Sequence, residues 1–333
     1  MTLPLAVTMG EPAGIGGEIA LKAWLSRGEC VPPFYLIDDP DRVASLARRL
    51  GWPVSVRAID APGQALAIFD EALPVVPIGC SIRAEPARAD PADAPAIIRA
   101  IETAVRDVRG GYAAAVVTNP IHKDTLYRAG FRYPGHTEFL ADLAGTTTAP
   151  VMMLACPALR VVPVTIHLAL RRAIESLSAA AILHAGRVTE AALRQDFGIA
   201  APVLAVAGLN PHAGEAGGLG REEIEIIGPA VAELRAAGID ASGPLPPDTM
   251  FHAEARQSYD AALCMYHDQA LIPLKTIDFH RGVNVTLGLP LVRTSPDHGT
   301  AFAIAGQGSA RPDSLIAALR LAAEMAGRRP AMA

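Results

Sequence analysis

The chain is poor in lysine: of 29 basic residues only three, Lys22, Lys123 and Lys275, carry an ε-amino group. Arginine suits a solvated surface equally well, so the remaining lysines are candidates for work a guanidinium cannot do, namely proton transfer or service as a compact charge. Lys22 lies inside an amphipathic helical pattern and reads as solvated or snorkelling, whereas Lys123 and Lys275 fall near expected strand ends. Cysteine is scarce as well. Cys30, Cys80, Cys156 and Cys264 are scattered in apolar surroundings without C-x-x-C spacing, which excludes a disulfide scaffold and reads as reduced core residues of a cytoplasmic protein. There is no basic excess; a net charge of −5 leaves no footprint for nucleic acid, although an acidic protein can hold a local anion pocket. Long apolar spans are missing too. The stretch 151–164 is broken by Pro157, Arg160 and Pro163, and the N-terminal segment lacks a basic n-region and a cleavage-like site, so neither a membrane span nor export is expected.

What is present is core. A chain of 333 residues, 51% hydrophobic, can build two α/β domains. Apolar strand-like runs alternate with Ala/Leu/Arg-rich helical stretches from residue 3 to about 117, and the alternation continues beyond. This predicts mostly parallel sheets covered by helices. Residues 83–95 read as a loop before a helix over 96–109. The glycine-rich stretches 210–220 and 282–300 are longer than a turn requires, which marks them as functional.

Three histidines each follow an apolar run: His167 after 161–166, His212 after 203–211, and His267 after 261–266. Such runs read as buried strands of a parallel sheet, so each imidazole is expected at a strand's carboxyl end, where open α/β sheets bind ligands. Three imidazoles with an open position make a candidate catalytic metal site.

Several loops could carry chemistry. Residues 10–18, a glycine-rich turn from strand to helix, lack the G-x-G-x-x-G spacing of a dinucleotide fingerprint. His136 and Thr137 stand where a helix begins and can meet an anion, or Thr137 can simply cap. Lys275, Asn284 and Arg293 flank a glycine-rich segment and combine a point charge, an amide and a fork, a mixture suited to phosphate or carboxylate. Asp248 is a candidate proton relay or helix cap.

Eight strings in order, GEPAGIG, TNPIHK, PGHTEFLA, GLNPHAGE, GPLPPDTMF, MYHDQALIPLK, GVNVTLGLP and RTSPDHGTAFAIAG, resemble the 4-hydroxythreonine-4-phosphate dehydrogenase family of pyridoxal-phosphate biosynthesis from residue 10 to about 308. The resemblance implies an isocitrate/isopropylmalate dehydrogenase-like α/β fold, not Rossmann, with two α/β/α domains and a central cleft. The boundaries expected are 1–130 with 268–333 for an outer domain and 131–267 for a central one. It further implies an obligate homodimer, with His167, His212 and His267 as ligands of one divalent ion (zinc, cobalt or magnesium) and His267 supplied by the other subunit. His136, Thr137, Lys275, Asn284 and Arg293 become substrate contacts, with Lys275 and Asp248 as catalytic candidates. Asp297, His298, Gly299 and Thr300 become contacts of NAD or NADP. Gly17 stands where the family has proline, and Ala303 and Gln307 stand where it often has acidic and basic residues.

The implied reaction oxidises 4-phosphooxy-L-threonine to a β-keto acid that loses carbon dioxide. Alternatives are a same-fold dehydrogenase of phosphothreonate, phosphoerythronate or an aromatic cis-diol carboxylate, a metal-dependent hydrolase, and a metal-binding protein without catalysis.

Overall fold

Apolar runs bounded by turn residues form twelve strands among the described residues: β1 (Leu5–Thr8), β2 (Phe34–Asp38), β3 (Val56–Ala58), β4 (Leu73–Pro77), β5 (Val116–Thr118), β6 (Val151–Cys156), β7 (Leu159–Pro163), β8 (Val203–Ala207), β9 (Asp240–Leu245), β10 (Ala261–Cys264), β11 (Val283–Leu287) and β12 (Arg293–Pro296). The computed structural model describes residues 3–28, 31–133 and 135–329. Cys30 lies outside them.

Two units divide the chain, Met1–Pro150 with Leu289–Ala333, and Val151–Gly288. Both boundaries fall later than the 130 and 267 expected from sequence. The helix His136–Ala144 stays with the first unit because Phe139, Leu140 and Ala144 enter the same apolar cluster as Ala100, Ile101 and Ala104 of the helix Ala94–Arg109. The helix His267–Ile277 stays with the second because Ala270 and Leu274 pack with Leu154 and Val161 of β6 and β7.

In the first unit the strand order is β3-β4-β2-β1-β5-β12, with every pairing parallel. β1, β2, β5 and β12 are buried along their whole length, as parallel strands with covered faces must be. The helices are begun by local chemistry. Before Pro40–Arg49, the Asp39 side chain accepts the Asp41 and Arg42 amides at 3.0 and 3.4 Å, Pro40 opens the first turn, and Arg48 and Arg49 close the last.

The second unit has the order β11-β6-β7-β10-β8-β9. Its sheet is mixed: β7, β10, β8 and β9 run parallel, but β6 is antiparallel to both β7 and β11. Only Pro157 and Ala158 separate β6 from β7, and so short a connection cannot make the crossover that parallel pairing needs.

Among the described residues no helix is long and apolar enough to cross a membrane. Cys156 and Cys264 are buried, as expected of core thiols, and burial pushes both thiols up in pKa. Cys80 departs from that expectation and is exposed, because it follows β4 in the turn-rich segment rather than lying within a strand.

Candidate metal and anion sites

The three histidines leave adjacent parallel strands. β7, β10 and β8 are neighbours in register, and side chains stitch their carboxyl ends together. The Thr165 hydroxyl donates to Met265 O at 2.7 Å, Gln269 accepts the Met265 amide at 2.6 Å, and the Gln269 amide group donates to Gly208 O at 2.8 Å. None of the histidines is the last strand residue. His167 and His212 sit in the following turns, each with φ of +53°, and His267 opens the helix His267–Ile277. Left-handed backbone outside glycine costs roughly 1–3 kcal/mol per residue, and such strain collects at functional positions.

Packing within the loop sustains the strain at His212. His212, Ala213, Glu215 and Ala216 all have positive φ, and Glu223 anchors the entrance to this stretch. Its Oε1 accepts the Leu209 and Asn210 amides, both at 2.7 Å, and its Oε2 accepts from Asn210 Nδ2 at 3.0 Å. Burial resists ionisation of this carboxyl, but the hydrogen bonds from Asn210 and Leu209 prevail and hold its pKa below the ordinary 4.5. A Cβ at Gly214 would lie 2.5 Å from Glu223 Oε2, so glycine is required there both by φ and by the approach of the carboxylate.

Within one chain only two of the imidazoles come together. The rings of His167 and His267 are 5.7 Å apart between centroids, and they line a cavity of about 260 Å³ with Thr165, Tyr266 and Asp268. His212 is not among that cavity's lining residues, and among the described residues no three His, Cys, Asp or Glu side chains gather to hold a metal ion. The donor chemistry nonetheless fits one. His267 Nδ1 lies 2.7 Å from Asp268 Oδ1; donating its proton there leaves Nε2 with a free lone pair, the usual arrangement behind a metal-binding imidazole.

Other second-unit candidates are spread out. Lys275 follows His267 by two helical turns, about 12 Å along the axis, with its ammonium 5.4 Å from the Phe279 ring. Asn284 lies in β11, opposite Leu154. Asp248 is exposed in the short turn Pro247–Thr249, packed beside the His212 segment Pro211–Gly217. Pro246, not Asp248, holds that turn's capping position.

In the first unit, His136 begins the helix His136–Ala144 after the extended Gly135, and no side chain caps the helix start. Thr137, expected as a possible cap, is therefore left partly exposed in the first turn. Burial, then the charges of Arg293 and Lys123, drives the His136 pKa well below 6.5, so the ring is neutral. Its Nε2 is buried with no hydrogen-bond partner among the described residues. Arg293 is 3% exposed and donates to Thr118 Oγ1 at 2.6 Å; burial lowers its pKa to about 10, which leaves it cationic at neutral pH. A Cβ at Gly135 would lie 3.7 Å from Lys123 Nζ and 3.5 Å from Glu138 Oε2, which sets this ammonium at the same helix start. The result is a neutral imidazole with an orphaned nitrogen, within the electrostatic influence of two cations.

The two glycine-rich loops of this unit lie against each other. Ile15 N donates to Thr300 O at 3.0 Å, and Gly14 has no room for a side chain because Thr300 O would stand 2.8 Å from its Cβ. Asp297 N donates to Ser314 Oγ at 2.9 Å, and His298 Nδ1 lies 3.0 Å from Gly299 O. Beside these loops, at the carboxyl ends of β1 and β5, Glu11 Oε2 and Asn119 Oδ1 are buried acceptors without a partner among the described residues. Lys22 is not the solvated residue its helical position suggested: Nζ donates to Gly308 O at 2.8 Å and to Ala310 O at 2.6 Å.

Residues 30–322 match the family of the pyridoxal phosphate biosynthetic protein PdxA. The chain belongs to the PdxA family. A 4-hydroxythreonine-4-phosphate dehydrogenase of Bradyrhizobium diazoefficiens is 56% identical over 338 residues, covering 98% of each chain. One from Caulobacter vibrioides is 56% identical over 331 residues, again with 98% of each covered. The crystal structure of 4-hydroxythreonine-4-phosphate dehydrogenase from Klebsiella pneumoniae superposes with a TM-score of 0.87 at 38% identity, covering 98% of this chain and 100% of that one. The mixed α/β architecture is thus that of PdxA structures.

In this PdxA-family chain, Glu223 and Lys123 take part in the sites without a motif of their own. The scarcity of lysine pointed to Lys123. Nothing local pointed to Glu223, whose neighbours Glu222 and Glu225 are acidic too.

Proposed function

We propose that this chain catalyses the NAD- or NADP-dependent, divalent-metal-dependent oxidation of 4-phosphooxy-L-threonine to 2-amino-3-oxo-4-phosphooxybutanoate, which loses carbon dioxide to give 3-amino-2-oxopropyl phosphate. The observation that carries the reading is the departure of His167, His212 and His267 from the carboxyl ends of three adjacent parallel strands. Membership of the PdxA family and the names of its relatives support the substrate.

His167, His212 and His267 would hold the ion, with His267 crossing to the other subunit of a homodimer. A site completed by a second subunit is supported by the failure of the three to gather within one chain and by the exposed Leu168, Leu170, Ile174, Ile272 and Phe279 of the same unit; that His267 is the ligand that crosses rests on the family resemblance, since His167 and His267 are the pair that meet within one chain. Imidazole donors suit zinc or cobalt better than magnesium. When bound, a divalent ion lowers the pKa of an alcohol and polarises the ketone made from it. Segment 297–300 would contact the dinucleotide, and the orphaned acceptors Glu11 Oε2 and Asn119 Oδ1 fit donors such as hydroxyl or amide groups. Each unit would be an α/β/α layer of the isocitrate/isopropylmalate dehydrogenase type.

The chain's own residues supply binding and proton transfer. Arg293 and Lys123 hold a phosphate or carboxylate, and the neutral His136 completes the shell from Nε2 without adding charge. Thr137 and Asn284 contribute hydrogen bonds. Lys275 Nζ takes or returns the proton of the reacting group, with Asp248 as a relay. The reading implies cytoplasmic work, where dinucleotide and phosphorylated metabolites are held.

Absorbance at the nicotinamide band tests it: zinc-loaded protein with 4-phosphooxy-L-threonine and NAD⁺ or NADP⁺ should accumulate reduced nucleotide. Turnover only with a phosphorylated sugar acid or a cis-diol carboxylate moves the substrate assignment, and no reduction with any of them removes the dehydrogenase reading.

A further inference from the structure

We infer that Glu18 and Lys22 are positioning residues for the dinucleotide, acting by clamping the backbone of the segment that follows 297–300. The inference rests on the cofactor reading above. Glu18 and Lys22 are four apart on the helix Gly16–Leu25 and so share a face. Both spend that face on one distant stretch of main chain. The Glu18 carboxylate is 1% exposed and accepts the Gly306 amide at Oε1 and the Gly308 amide, at 3.0 Å, at Oε2. The Lys22 ammonium donates to Gly308 O and Ala310 O.

The path being gripped is one that only glycine adopts readily. Gly306 and Gly308 have φ of +77° and +72°, and added Cβ atoms would meet Pro86 Cβ at 2.7 Å and Trp52 Cζ2 at 3.3 Å. The Trp52 ring centroid also lies 5.2 Å from Lys22 Nζ, so the indole packs against both Gly308 and the ammonium. The start of the segment is held by the same region, through Ile15 and Thr300. At and just before the first of these anchor points, the proposed contacts stay accessible: a Cβ at Gly299 would meet nothing within 4 Å.

A loop ordered in advance spares its ordering cost when the ligand binds. Loosening it therefore weakens dinucleotide binding while leaving substrate contacts elsewhere unaltered. Arginine cannot replace Lys22, because one nitrogen bridges two carbonyls beneath an indole and a planar guanidinium spreads its donors too widely.

The test uses the zinc-loaded full chain and three variants: Lys22→Met, which keeps the stem over Trp52, Lys22→Arg, and Glu18→Gln. Amide exchange across 306–310, NADH binding by fluorescence, and the KM values of dinucleotide and phosphorylated substrate are measured. Exchange at Gly306 and Gly308 should quicken, and the NADH Kd and dinucleotide KM should rise about tenfold, the scale of one lost charge-assisted hydrogen bond. The substrate KM should stay within about twofold. Should Lys22→Met fail to fold, Glu18→Gln is read in the same assays. Faster exchange with unchanged NADH binding, or an equal rise in both KM values, overturns the inference while the cofactor reading stands. A wild-type protein that binds neither NADH nor NADPH overturns that reading and this inference with it.

Discussion

Glu223 holds Asn210 by both main chain and side chain: Oε1 accepts the Asn210 amide at 2.7 Å and Oε2 accepts from Nδ2 at 3.0 Å. The consequence falls two residues on, where the chain turns left-handed at His212. A carboxylate meeting only donors is what lets the run of positive φ values persist.

Glu223→Gln should expose this dependence, since it turns one acceptor oxygen into an amino group facing N–H donors. Stability is expected to fall by about 2 kcal/mol, the range for hydrogen bonds to a charged group, and zinc affinity by about tenfold, as when a supporting partner of a ligand is lost. Calorimetric unfolding and zinc titration check both. Unchanged zinc affinity in a destabilised variant would separate Glu223 from the metal site.

Metal removal and subunit mixing probe the histidines. A chelator should abolish turnover and zinc or cobalt restore it, and alanine at His167, His212 or His267 should lower metal occupancy. Mixing inactive His167→Ala and His267→Ala protomers should restore up to about a quarter of wild-type sites, since random exchange makes half the dimers hybrid with one intact site each. Because His267 also lies beside His167 of its own chain, verified hybrids without recovered activity would assign both imidazoles to one subunit.

Lys123→Met should raise the KM for the phosphorylated substrate about tenfold, the scale of one charge-assisted hydrogen bond, and weaken inorganic phosphate as a competitive inhibitor in parallel. Lys123 is exposed, so thermal stability should hardly change. Equal phosphate inhibition of variant and wild type would take Lys123 out of the anion site.

His136 ties stability to pH. Its pKa in the folded protein lies below the ordinary 6.5, through burial and then the charges of Arg293 and Lys123. As pH drops below about 6.5 the unfolded chain takes up a proton there that the folded chain refuses, so stability is lost, and it is fully present above that value. His136→Asn should flatten this part of the stability-pH curve, measured by urea unfolding from pH 5 to 7.5. A parallel curve for the variant would show that another group carries the dependence.

Much of the fold was legible because its causes are local. The run before His167 and the runs that became β8 and β10 predicted three strand ends, and β7, β10 and β8 prove adjacent. The helix expected over 96–109 is Ala94–Arg109. Antiparallel β6 was missed although its cause, the short turn at Pro157, was in view as a mere interruption of an apolar stretch.

The sequence by itself determined which segments alternate between strand and helix, and which imidazoles leave the strand ends, because both follow from apolar periodicity and turn residues within a few positions. Only the tertiary structure decided that Lys22 is a clamp rather than a solvated cation, since its acceptor at Gly308 is 286 residues away and is a backbone carbonyl that leaves no mark in side-chain pattern. The same holds for Glu223. Its chemistry is that of any acidic residue until the chain brings two amides and an asparagine to it, and a hydrogen bond to main chain carries no information about which residue supplies it.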